Sequence, residues 1–183
     1  MKYSIDYAYF IDTLNPITFL KSNKKIPGTM LKKIGLILLV VIVAIQFIPY
    51  EKNEGKPAEH PISGSYDIPD NVNKLLVNAC NNCHTNTSEY PWYARVEPVG
   101  YWLNDHIQEG KGDLNFDEFT HRPIAYQNHK LEEVVEMVEE KEMPLESYTY
   151  FGLHPEADLS DADRQVIIDW AKDQMAYLKA IYF

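Results

Sequence analysis

The only two cysteines of the chain, Cys80 and Cys83, stand three residues apart and are followed at once by His84, in the stretch CNNCH. Several chemistries compete for such a cluster. A disulfide between neighbours this close closes a tiny loop and adds little stability. A thioredoxin-like dithiol belongs between a strand and a helix N-terminus in a βαβ unit, and no such unit is readable here. Structural zinc takes four ligands, usually from two cysteine pairs; there is no second pair, although a site from Cys80, Cys83 and two histidines can be written down. The fifth residue separates the remaining option from these. C-x-x-C-H is the pattern of covalent c-type haem attachment, in which two thiols add to porphyrin vinyl groups and the adjacent imidazole is held beneath the ring as an axial ligand to iron.

A second axial ligand then has to come from elsewhere in the chain, and Met, His or none are the options. LEEVVEMVEEKEMP, Leu131 to Pro144, reads as a helix with Leu131, Val134, Val135 and Val138 on one side, carboxylates on the other and a stop at Pro144. Met143 sits at that stop, where a thioether can face a haem without disturbing helical hydrogen bonds. Met137, inside the helix, reads as core packing. His106, His121, His129 and His154 all read as satisfied polar residues; should Met143 not serve, His121 and His129 are the next distal candidates. Tyr90, Trp92, Tyr93 and Arg95 follow the motif closely; any one of them fills a core, but Trp92 or Arg95 could also donate to a haem propionate.

These residues need elements to carry them. Asp70 is placed to cap a helix whose apolar side is Val72, Leu75, Leu76 and Ala79, and which delivers Cys80, Cys83 and His84 at its end. Trp102 and His106, four apart in YWLNDHIQEG, share a helix face. Ser160 is the N-cap of a terminal helix, with Asp161 and Asp163 in its first turn and Val166, Ile167, Trp170 and Met175 available for packing. With 45% hydrophobic and 13% aromatic residues the chain should fold, and the length left after the apolar run supports one compact domain.

Ahead of that domain lies IGLILLVVIVAIQFI, Ile34 to Ile48, preceded by Lys32 and Lys33. Fifteen residues span roughly 22 Å as a helix, which with Leu31, Tyr50 and snorkelling lysines makes a short membrane anchor over 30–50; a cleaved signal is the alternative, without an A-x-A-like site. Residues 1–50 carry net charge +4 and residues 51–183 net −14, within a total of −10. The basic flank stays in the cytoplasm and sends the acidic part across the inner membrane into the periplasm. So acidic a domain has no electrostatic route to nucleic acid; a basic redox partner would suit it. Residues 1–29 fit poorly before such an anchor, and Met30 reads as the true start. Residues 51–68, rich in Pro, Gly and charge, read as a linker, and 69–183 as the folded domain.

From about Pro69 to the C-terminus, the succession CNNCHTNTSEYPWY, PVGYWLNDHIQEGK, LNF, KEMP and HPEADLSDADRQVIIDW resembles the haem-binding domain family of membrane-anchored c-type cytochromes, itself similar to the class I cytochrome c fold. The resemblance implies an all-α cytochrome c-like domain around one covalent haem, with thioethers at Cys80 and Cys83, His84 as proximal ligand and Met143 as distal ligand. It also implies crossing first and last helices, with Trp170 at the crossing. The expected function is electron transfer by a monohaem, single-pass cytochrome rather than catalysis. The alternative is a peroxidase-like or gas-sensing haem module with an open distal site.

Overall fold

The computed structural model describes residues 27–182, and the chain divides into two units, Met1–Phe47 and Ile48–Phe183. In the first unit, α1 (Gly28–Ile45) is a helix of 18 residues with none buried, long and apolar enough to cross a membrane. It stops at Ile45, short of the expected end at residue 50. The extension expected over residues 1–29 lies outside the described residues except for its last three.

The second unit is helical, with no strand among its described residues, in agreement with the expected all-α class. Its helices are α2 (Asp70–Ala79), α3 (Asn81–His84), α4 (Val99–Asp113), α5 (Ile124–Glu139), α6 (Glu146–Thr149) and α7 (Asp161–Tyr182). Asp70 lies inside α2 rather than capping it. Pro69 precedes the helix and its carbonyl accepts from Asn73 N–H at 2.8 Å, while Asp70 places a carboxylate in the first turn, favourable to the helix dipole. Ser160 does cap α7: its Oγ accepts from Asp163 N–H, and the Asp163 carboxylate reaches back to Ser160 N–H, both at 3.2 Å.

The core forms where α2, α5 and α7 meet. Val72 and Leu76, Leu131, and Trp170, Ala171 and Leu178 share one buried cluster with Phe116 and Phe119. Trp170 is buried and its indole N–H donates to Asp67 O at 2.9 Å, so its one polar group is satisfied. A second cluster joins Val138 on α5 to Ile167 and Ile168 on α7, and a third packs Leu103 and Ile107 of α4 on Ala94.

The segment 51–68, which composition suggests is a linker, is instead a strap on the domain. Asn53 is only 3% exposed. Its side-chain amide donates to Thr85 O and Ser88 Oγ at 3.0 and 2.8 Å and its carbonyl oxygen accepts from Lys111 Nζ at 2.7 Å. Further along, Ile62 N–H donates to Phe116 O at 2.7 Å, and Ile62 and Tyr66 enter the main core. The Tyr66 hydroxyl bonds to buried Gln127. A few buried anchors in an otherwise polar stretch are enough to fasten it, because each buried polar group must find its partners.

Helix α5 also departs from expectation. It begins at Ile124, after Pro123, and ends at Glu139 rather than at Pro144. Lys141 adopts a left-handed conformation with φ 64°, and Met143 N–H then donates to Met137 O at 3.1 Å, turning the chain back over the helix end.

Candidate functional site

Helix α2 ends at Ala79, Cys80 takes the break, and α3 carries Cys83 and His84. Both cysteines are free thiols. Burial pushes the Cys80 thiol up to about 12 and that of Cys83 up to about 11. Both therefore stay protonated at neutral pH, the opposite of the lowered thiol that a redox dithiol needs. Among the described residues, no three His, Cys, Asp or Glu side chains converge to hold a metal ion, which leaves the zinc option without a ligand set.

His84 is held from α4. Its Nδ1 lies 2.9 Å from Gly110 O and 3.0 Å from Leu114 O. Carbonyl oxygens only accept, so Nδ1 carries the proton and Nε2 carries the lone pair. Burial holds the imidazole below its ordinary 6.5 against the opposing pull of those two carbonyls, which keeps it neutral, the form that binds a metal. Gly110 lies where α4 comes closest: a Cβ there would stand in contact, 3.4 Å from both Cys83 Cβ and His84 Cε1. The edge of Phe116 meets the ring from another side, with centroids 6.2 Å apart, and Phe116 N–H donates to His84 O at 2.8 Å.

Cys83 and His84 open onto a mainly apolar groove of 300 Å³. Val99, Trp102, Leu103, His106 and Gly110 of α4 form one wall, and Met143, Pro144, Leu145 and Tyr148 another. Met143 and His84 thus share one cavity although they are far apart in sequence. Cys80 does not line the groove and packs against the main core cluster. Met137 does not line the groove. Trp92 does, while remaining 73% exposed, but Arg95 does not.

The histidines sort differently from expectation. His121 and His129 both lie outside the groove: His121 stands by Glu118 and the ring of His60, and His129 by Glu132 and Glu133. His106 lines the groove instead, with Nδ1 2.9 Å from Trp102 O, so its Nε2 carries the lone pair. The i, i+4 spacing of Trp102 and His106 was the sequence signal for that placement. His154 is tied to the groove's rim, its Nε2 2.7 Å from the Tyr93 hydroxyl and its ring stacked on Tyr148 at 3.9 Å. Nothing in sequence spacing brings Tyr93, Tyr148 and His154 together.

A planar, largely apolar group would meet mainly apolar and aromatic walls in this groove, with His84 and Met143 both on its lining. The His84 imidazole has its tautomer fixed by two carbonyls, and of the two thiols that of Cys83 lines the groove. The family model described as a haem-binding domain matches residues 40–173, a range that takes in the strap as well as the helices. No curated protein and no solved structure matches the chain.

Proposed function

The chain belongs to the haem-binding domain family, and on that premise we propose that it is a membrane-anchored, extracytoplasmic c-type cytochrome that carries electrons between redox partners. Cys80 and Cys83 would hold one porphyrin by thioether bonds, each S–H adding across a vinyl double bond so that nothing leaves. His84 supplies the proximal nitrogen and Met143 the distal thioether. Bound haem supplies a one-electron iron couple, whose potential a thioether raises relative to a second imidazole. With His84 and Met143 both holding the group, no position would be left for a substrate, which favours a carrier over a catalyst.

The observation that carries this reading is the His84 ring, whose Nδ1 proton is given to Gly110 and Leu114 while the two thiols stand within the same short motif. Second-partner hydrogen bonds of this kind fix the tautomer and raise the basicity of a metal-binding histidine. α1 anchors the chain, Lys32 and Lys33 stay cytoplasmic, and the acidic domain faces the periplasm, where a basic partner docks by weak, salt-sensitive association.

Full-length protein from a host equipped for cytochrome maturation tests the reading. A haem stain that survives denaturing electrophoresis, a low-spin spectrum with a thioether-to-iron charge-transfer band, and inertness of the reduced form to carbon monoxide are expected. Rapid carbon monoxide binding would replace the carrier by an open-site haem module, and a colourless product would end both. The groove favours one competing distal ligand, His106; a charge-transfer band lost in Met143→Ala and kept in His106→Ala assigns the thioether.

A further inference from the structure

Arg164 stands in the first turn of α7, 21 residues beyond Met143, and its guanidinium Nη1 donates to Met143 O at 2.6 Å and to Val138 O at 3.3 Å. These two carbonyls have different needs. Val138 lies in the last turn of α5, where its carbonyl takes one long backbone bond from Lys141 N–H at 3.3 Å and a cation meets the negative end of the helix dipole. Met143 lies in the loop that follows, where Pro144 has no N–H to give. Its N–H is taken by Met137 O at 3.1 Å and its carbonyl by Arg164, so its peptide groups are held from both sides.

The placement of Arg164 is itself prepared. The Ser160–Asp163 capping box starts α7, and Arg164 N–H donates to Ser160 O at 2.9 Å in the first turn. Lys141, in the same loop as Met143, pairs with Asp161 at 2.7 Å. The start of α7 thus grips the methionine loop twice, once through an exposed ion pair and once through a half-buried guanidinium. Charge-assisted hydrogen bonds are the stronger kind, and an exposed pair is worth little.

We propose that Arg164 is a positioning residue for the distal ligand: by holding the Met143 carbonyl it keeps the thioether on the iron, and without it the thioether yields to added ligands. The inference rests on the assignment of Met143 as distal ligand. A loop methionine competes for iron with any small ligand in solution, and its advantage lies in being held in place beforehand.

Three full-length holoprotein variants test it, Met143→Ala, Arg164→Leu and Arg164→Lys, each titrated with imidazole in the ferric state and followed at the charge-transfer band, with thermal melting alongside. Arg164→Leu is expected to bind imidazole about tenfold more tightly than the parent, about 1.4 kcal/mol, with a weakened band, and Arg164→Lys to recover part of that shift. A merely structural arginine would lower the melting temperature and leave imidazole affinity unchanged; that result in Arg164→Leu overturns the proposal while the ligand assignment stands. A band that persists in Met143→Ala overturns the assignment and the proposal with it. If Arg164→Leu does not fold, Arg164→Lys decides alone: its single ammonium cannot reproduce the guanidinium's fork, so imidazole affinity equal to the parent's overturns the proposal and any clear rise supports it.

Discussion

The two sides of the groove are built in different ways. On the His84 side, helix packs on helix: α4 comes close enough that a Cβ at Gly110 would touch Cys83 and His84, the carbonyls of Gly110 and of Leu114 just past the helix end fix the ring, and Phe116 packs against it. On the Met143 side, a loop with one left-handed residue leaves the end of α5, and few hydrogen bonds hold it. The difference teaches where each side draws its order: the first from dense packing that resists displacement, the second from a handful of polar contacts that can be removed singly.

The harshest way to break this comparison is to remove His84. Outer-shell changes around metal-bound histidines alone cost about 10- to 100-fold in affinity, so His84→Ala, which removes the ligand itself, should abolish the low-spin spectrum and lower the haem attached per chain, read from haem absorbance against protein mass. A near-normal yield would mean that the packed side is not the anchoring side. Next comes Gly110→Val. A Cβ there is already at contact distance from Cys83 and His84, so the two further methyls of valine overpack the site, which costs about 1–3 kcal/mol. The melting temperature of the holoprotein should fall and the ferric spectrum should broaden, whereas Gly112→Val, where a Cβ meets nothing within 4 Å, should show neither.

Met143→Ala sharpens the comparison from the other side. Its fold should survive with a loss of about 1 kcal/mol, while the reduced protein gains carbon monoxide binding that the parent lacks. Equal damage to fold and spectrum would erase the contrast between the two sides. The smallest effect belongs to the Lys141–Asp161 pair. Hydrogen bonding to Lys141 holds the Asp161 carboxyl below its ordinary 3.8. A depressed carboxyl stabilises the fold above the unfolded value and loses that contribution as pH falls through the lower folded one. Asp161→Asn should therefore melt slightly below the parent at pH 7 and together with it near pH 2; a gap that widens in acid would contradict the assignment.

What could be read from sequence follows the same division. The CNNCH motif is contiguous, so its meaning survives without a structure, and the Ser160–Asp163 cap is a local pattern within four residues. The helix face shared by Trp102 and His106 is likewise a matter of period, although period alone did not say that the face would line the groove. Arg164 was illegible because its partner is a backbone carbonyl, which has no residue type to recognise. The true end of α5 was hidden for a related reason: Pro144 looked like the breaker, while the chain had already turned at Lys141. The strap was misjudged because composition averages over a segment, and Asn53, Ile62 and Tyr66 are isolated anchors among residues that face water.

That strap has a bearing on maturation. Tyr50 already donates to Ala94 O at 3.1 Å, and Asn53 joins the loop after the motif to Lys111. A peptidase that released the domain from α1 would have to cut before Tyr50, since trimming as far as Pro69 strips away side chains on which the loop after His84 leans. The polypeptide ahead of the cysteines is scaffold as much as leash, and a secreted form of this protein would still carry it.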